Sequence, residues 1–297
     1  MNISASDLKK RISLANDLMA CCSLCPRRCG AKRFEGKTGF CGAGSRLKIY
    51  SYRQYLGEEP PISGTAGSGV IFLSNCTMRC AYCQNYRFSQ LGKGYSVSPR
   101  VLCDIMISLQ KRGCHNINLV TPSHHLPGLL EALYLVSESS LKIPIVYNSS
   151  GYECVEALGL LDGVVDIYLA NMRYSDNKLA LVYSETADYV EINQKAILSM
   201  HKQVGDLVAT DSGIGTRGLI IRHLILPNLL HNSEGVLKFI SESLPKKTYI
   251  SLISQYLPLH KAKDHPELSR RITKEEYDTA CAMLERYDLH YGWTQTL

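Results

Sequence analysis

Three thiols fall within eight residues, Cys76, Cys80 and Cys83, spaced CxxxCxxC inside GVIFLSNCTMRCAYCQN at 69–85. Three thiolates can hold three irons of a 4Fe-4S cluster and leave the fourth iron open to a substrate or cofactor. The competing readings are unreactive thiols or a zinc knuckle, and zinc wants a fourth nearby ligand that this loop does not offer. A second set lies in CCSLCPRRCGAKRFEGKTGFC at 21–41, where Cys22, Cys25, Cys29 and Cys41 stand at CxxC, x3 and x11 spacing. Glycines at 30, 36, 39 and 42 permit tight turns there, so four thiols can close a tetrahedral site. That site would take zinc or a second Fe-S cluster, against the alternative of free structural or redox-active thiols. Cys21, adjacent to Cys22, can stand in for it.

Such sites need elements to carry them. The apolar run Val70 to Leu73 reads as a buried strand that delivers the CxxxCxxC loop at its carboxyl end. Beyond the loop, strand candidates at 117–121, 144–150, 165–171, 218–226 and 248–256 alternate with helical patterns at 99–112, 127–140, 152–162, 176–204, 233–244 and 274–288. With the strand before Cys76 this makes six βα units, which implies a parallel sheet with helices outside. Ahead of it, residues 6–20 read as a short amphipathic helix with Leu8, Ile12, Ala15 and Met19 on one face and Asp7 near its start. LKIYSYRQY at 47–55 reads as an extended segment docking a Cys-rich appendage (1–62) on the main domain (63–297). GTAGSG at 64–69 is no dinucleotide fingerprint, because it precedes a strand rather than leaving one to open a helix.

The 297 residues suit one α/β barrel plus an appendage, and 45% hydrophobic residues supply one core. The net charge of +6 allows an acidic partner, but charges of both signs are scattered, so a solvated surface is favoured over nucleic-acid binding. Apolar runs fall far short of a bilayer span, and MNISASDLKKR lacks a signal peptide's apolar core, so the expectation is a cytoplasmic protein with no membrane partner. Twelve Cys in a reducing compartment then point to metal or redox chemistry rather than disulfides.

By analogy with closed barrels, chemistry is expected at the strands' carboxyl ends. Asn148, Ser149 and Ser150 offer hydrogen bonds to a ribose or carboxylate. Arg222, in an otherwise apolar strand beside His223, is costly unless paired; it meets a cofactor carboxylate or a structural ion pair.

At these residues the chain resembles the radical S-adenosylmethionine (SAM) superfamily, with Tyr82 as the aromatic before the last Cys and Gln84-Asn85 similar to the CxN of the pyruvate formate-lyase activating enzyme group. CSLCPRRC, GSGVIFLSNC, INLVTPSHH, VYNSSGYE, VDIYL, RHLILP and SQYLP are similar to uncharacterised Fe-S proteins of that group, over nearly the whole length. The resemblance implies an open (β/α)6 partial barrel, a 4Fe-4S cluster on Cys76, Cys80 and Cys83, SAM as cofactor, and an electron donor such as flavodoxin or ferredoxin. It also implies cofactor contacts from Tyr82, Asn85 and His260. The group's GGE motif is missing, and Thr121, Ser123 or His124 stands in its place. Where the family has DxK the chain has Asn171 and Arg173, which lose the acid and keep the cation. The function implied is a glycyl-radical-type activating enzyme acting on a protein partner. Alternatives are radical modification of a peptide or small molecule, and a non-catalytic Fe-S binding or redox-sensing protein.

Overall fold

The computed structural model describes residues 3–137, 139 and 141–297. Six parallel strands, β2 (Ser68–Leu73), β4 (Ile117–Val120), β5 (Ile145–Ser149), β6 (Ile167–Asn171), β8 (Gly215–Leu224) and β9 (Tyr249–Ile253), follow one another through the sheet. They are the six expected from the sequence, each ending within a few residues of its apolar run. On the β2 side the sheet is extended antiparallel by β1 (Leu47–Tyr55) and β3 (Tyr95–Val97). LKIYSYRQY is the extended segment expected from the sequence, and it pairs into the sheet. Beyond β9 comes a parallel strand the sequence reading missed, β10 (Gly292–Thr294), and the short β7 (Val208–Ala209) pairs with β8. β3 and β10 remain at opposite ends of the strand order, so the barrel is open.

Helices cover the outer face. α1 (Ala5–Ala20) starts where the Ser4 hydroxyl accepts the Asp7 amide at 3.0 Å. The brief α2 (Pro60–Ser63) and α3 (Tyr86–Ser89) flank β2, and α4 (Pro99–Lys111) opens on Ser98 and Pro99. α5 (Leu126–Ser137) ends inside the expected 127–140, of which positions 138 and 140 lie outside the described residues. α6 (Val155–Gly159) is shorter than expected. The 176–204 pattern is two helices, α7 (Asn177–Ser184) and α8 (Tyr189–Val204), broken at Glu185, whose φ of 52° is left-handed. α9 (Leu230–Ser243) follows β8, and α10 (Lys274–Arg286) begins in a Thr273/Glu276 capping box.

Strand alternation sorts the barrel's faces. Ile71, Leu119, Tyr147, Tyr168 and Ile221 belong to the core that the helices share. On the other face Val146, Ile167, Leu169 and Ile220 close on Ile62 of α2 and form an apolar floor. Burying Ile62 completely is worth about 2 kcal/mol, enough to pin α2 and the acids before it under the barrel. One step further along the same strand faces stand Asn148, Asn171 and Arg222, so the interior turns polar at its mouth.

Candidate active site at the barrel mouth

A cavity of about 190 Å³ opens at that mouth, walled by Cys76, Cys80, Cys83, Asn85, Thr121, Asn148, Asn171, Arg173 and Arg222, among others. The loop carrying the thiols is held from several sides. Asn75, at a φ of 76°, turns the chain out of β2, and its amide donates to Phe88 O at 2.8 Å. The last turn of α7 leaves carbonyls free of helical partners, and two receive the loop: Ala81 N donates to Tyr183 O at 2.7 Å and Arg79 N to Ser184 O at 3.3 Å. The break that the 176–204 pattern concealed therefore positions the cysteines. Gln90 Nε2 donates to Cys80 O at 2.9 Å, and Lys261 N to Ala81 O at 2.8 Å.

The electrostatics are unbalanced in a telling way. Burial, then the neighbouring Cys80, push the Cys76 and Cys83 thiols above their usual pKa. Arg173 faces the same cavity, and its Nε is inaccessible and has no hydrogen-bond partner among the described residues. Burial works against the Arg173 cation, yet Cys80, Tyr82, Tyr189 and Tyr174 together hold its pKa above the usual value. A cation on the same cavity wall as three sulfurs is suited to a negatively charged group held by those sulfurs.

The other expected site residues divide. Thr121, at a φ of 59°, and Asn148 reach the cavity, and Asn171 Nδ2 donates to Ser149 O at 2.6 Å on its wall. Tyr82 is buried behind the loop, its hydroxyl 2.7 Å from that of Tyr174, which in turn meets Ser184 at 2.7 Å. His260 stacks on Tyr86 with ring centroids 4.6 Å apart, against the helix after the loop rather than in the cavity. Ser123 turns away from the mouth and donates to Glu153 at 2.5 Å, while His124 is buried with Nε2 2.7 Å from Ser74 O. Neither takes the place of the missing GGE in the cavity wall, because the left-handed Thr121 sends the chain after it back into the core. His223 is buried between Met172 O and Ser233, and burial lowers its pKa to about 4.

Arg222 is already paired. It donates to Glu58 and, at 2.5 and 2.6 Å, to both oxygens of Glu59. The structure gives it the ion-pair alternative rather than a free guanidinium for a cofactor carboxylate. Glu58 and Glu59 were missed in the sequence reading, and their only local signal is that they precede Pro60-Pro61.

Glu153 was missed too. It is 3% exposed, accepts from Ser123 and Ser149 and lies 3.4 Å from the Tyr147 hydroxyl, and burial raises its pKa to about 7. The folded state thus keeps a proton that the unfolded chain, at the ordinary 4.5, has released. Stability is full below pH 4.5 and falls as pH rises towards 7, by about 3 kcal/mol in all. Melts of the wild type across that range should show the fall and Glu153→Gln should flatten it; an equal slope in both proteins would place the titration elsewhere.

The Cys-rich segment folds against the same loop. Cys22 N donates to Ala31 O at 3.2 Å and Gly30 N to Cys22 O at 3.0 Å, doubling the chain back so that Cys29 comes to Cys22. Burial pushes the Cys22 thiol above its usual pKa against the pull of the Arg33 guanidinium, and burial pushes Cys25 up to about 12. Among the described residues no three His, Cys, Asp or Glu are gathered closely enough to hold a metal as they stand, in this set or at Cys76, Cys80 and Cys83.

The site is thus a parallel half-open barrel with three thiols and a cation at its mouth. The radical SAM superfamily model matches residues 70–198. An uncharacterized protein of Methanocaldococcus jannaschii, MJ0674, is 30% identical over 295 residues, 95% of this chain and 79% of its own. Streptococcus suis SuiB bound to S-adenosylmethionine matches with a TM-score of 0.50 at 9% identity, covering 74% of this chain and 48% of SuiB. SuiB bound to its precursor peptide SuiA matches with a TM-score of 0.49 at 10% identity, covering 74% and 46%. The chain spans about half the length of these solved structures. It belongs to the radical SAM superfamily, whose members use a 4Fe-4S cluster and SAM. Among the described residues no helix is long and apolar enough to cross a membrane.

Proposed function

We propose that Cys76, Cys80 and Cys83 hold the 4Fe-4S cluster, that Asn85, Thr121, Asn148, Asn171 and Arg173 line the SAM seat, and that the protein is a cytoplasmic activating enzyme that raises a radical on a partner polypeptide. The observation that carries the reading is the meeting of three thiols and the Arg173 cation in one cavity. Held there, a 4Fe-4S cluster would supply one-electron reduction of SAM and, through it, radical hydrogen abstraction from a substrate. Arg173 meets the negative charge of the cluster or of a carboxylate, while Asn148 and Asn171 fix orientation through hydrogen bonds. Phe72, Met78 and Val120 on the cavity wall limit water and competing hydrogen donors. Behind the loop the Tyr82, Tyr174 and Ser184 hydroxyls lock the cysteines' backbone against α7. Arg222, held by Glu58 and Glu59, has a positioning role, and Ser123 belongs to the Glu153 network.

A polypeptide substrate is supported by the open sheet and by a second cavity of about 460 Å³ lined by Gln84 of the cluster loop with Gln255, Tyr256 and Arg271. An electron donor of the flavodoxin or ferredoxin class completes the reaction. Anaerobically reconstituted protein given SAM and a reductant should release 5′-deoxyadenosine, and with its partner should place an EPR-visible radical on that polypeptide. Release no faster than from Cys80→Ala would sink the enzyme reading; a radical quenched only by small molecules would sink the activating one.

A further inference from the structure

The cysteine set in the appendage has no part in the site described so far, yet backbone and a buried cation close on two of its sulfurs. A Cβ at Gly39 would lie 2.2 Å from Cys29 Sγ, so a side chain there would push that sulfur from its place. Arg33, 1% exposed, donates to Ala43 O at 3.0 Å and to His124 O at 2.7 Å, and its Nη2 stands 3.7 Å from Cys41 Sγ.

The second set is also joined to the first. Asn75 Nδ2 donates to Cys41 O at 2.8 Å, and Asn75 is bonded to Cys76. Cys41 and Cys76 line one cavity of about 310 Å³. Arg27 Nε donates to Thr77 O at 2.6 Å, and the Arg27 and Arg79 guanidiniums lie 3.4 and 4.2 Å from the Phe40 ring centroid, clamping the residue before Cys41 onto the loop. A redox-inert zinc has no use for this junction, whereas an iron-sulfur centre does.

We propose that Cys22, Cys25, Cys29 and Cys41 hold a second centre, an iron-sulfur cluster, and that Cys41, Asn75 and Cys76 form the path along which it passes electrons to the radical loop. One electron enters from a low-potential one-electron protein reductant and one leaves towards Cys76, with no bond made or broken on the way. The relay rests on the proposed role of Cys76; the second centre does not.

A variant with Cys76, Cys80 and Cys83 all changed to Ser isolates the new site. Purified without oxygen or chelator, it should keep about four irons and four sulfides per chain and give an EPR signal on reduction. Zinc in their place, or no metal, overturns the centre. Should that variant fail to fold, the wild type decides: iron for two clusters supports the centre, iron for one overturns it. Cys25→Ser with Cys29→Ser should lose the second set of iron and keep the first, and loss of all iron only in the Cys76, Cys80, Cys83 variant would instead fault the centre and not the radical loop. Stopped-flow reduction tests the path. In Cys25→Ser/Cys29→Ser, reduction of the remaining cluster by the donor protein should be lost while reduction by dithionite persists. Unchanged reduction by the donor protein, or equal loss with both reductants, overturns the relay.

Discussion

Changing any one of Cys76, Cys80 or Cys83 to Ala should abolish the protein's broad visible absorbance after anaerobic reconstitution, and with it all cleavage of SAM. An iron deprived of its thiolate has no equal replacement within reach: the polar neighbour of Cys83 is the Ser89 hydroxyl at 3.2 Å, a far poorer iron ligand than a thiolate. Cys41, the appendage thiol on the adjoining cavity, is tied at its carbonyl to Asn75. Folding should change little, because Cys76 and Cys83 are only half-buried, the buried Cys80 loses no more than one sulfur atom, and the loop's backbone is held by α7 and Gln90 rather than by sulfur. The three variants should therefore melt near the wild-type apoprotein while releasing no 5′-deoxyadenosine. Full cleavage by any of them removes that residue from the cluster.

Why the thiols were legible and their setting was not is a matter of range. Cys76, Cys80 and Cys83 lie in one loop, so their spacing alone carries the chemistry, and the apolar runs before them and in the other five units mark buried parallel strands directly. Arg222 was legible as a cost, a charge in an apolar strand, but not as a solved one. Its partners Glu58 and Glu59 are more than 160 residues away in sequence, brought there because Ile62 plugs the barrel floor. Ser123 and Thr121 looked equivalent as candidates. The difference is one left-handed residue, Thr121, which sends Ser123 to Glu153, and a Thr at positive φ has no sequence signal. The α7/α8 break was hidden for a similar reason: helical periodicity continues through Glu185, and only the docking of Arg79 and Ala81 onto the carbonyls before it shows what the break is for.

Arg222→Met should destabilise the fold by about 3–5 kcal/mol at neutral pH, since it leaves carboxylates that are 8% and 1% exposed without their cation. The pH dependence identifies the cause. In the wild type, burial alone would raise the Glu59 carboxyl, and Arg222 outweighs burial and holds it below the ordinary 4.5; Glu58 is raised, with burial the larger influence. Glu59 therefore contributes stability that is present above 4.5 and is lost as pH falls through its lowered pKa. Without the guanidinium both carboxyls are raised in the folded state, so the sign reverses: the unfolded chain releases protons near 4.5 that the folded variant still holds, and stability falls as pH climbs past that value. The gap between variant and wild type should thus be widest at pH 7 and close towards pH 4. Adding Glu58→Gln and Glu59→Gln to Arg222→Met should recover much of the loss, because three polar or apolar groups of similar size then replace three charges. Urea melts at the two pH values measure the gap, and calorimetric titration with SAM gives the other half of the test. If Arg222→Met melts like the wild type at both pH values but no longer binds SAM, the guanidinium serves the cofactor's carboxylate and its pairing with Glu58 and Glu59 contributes nothing to the fold.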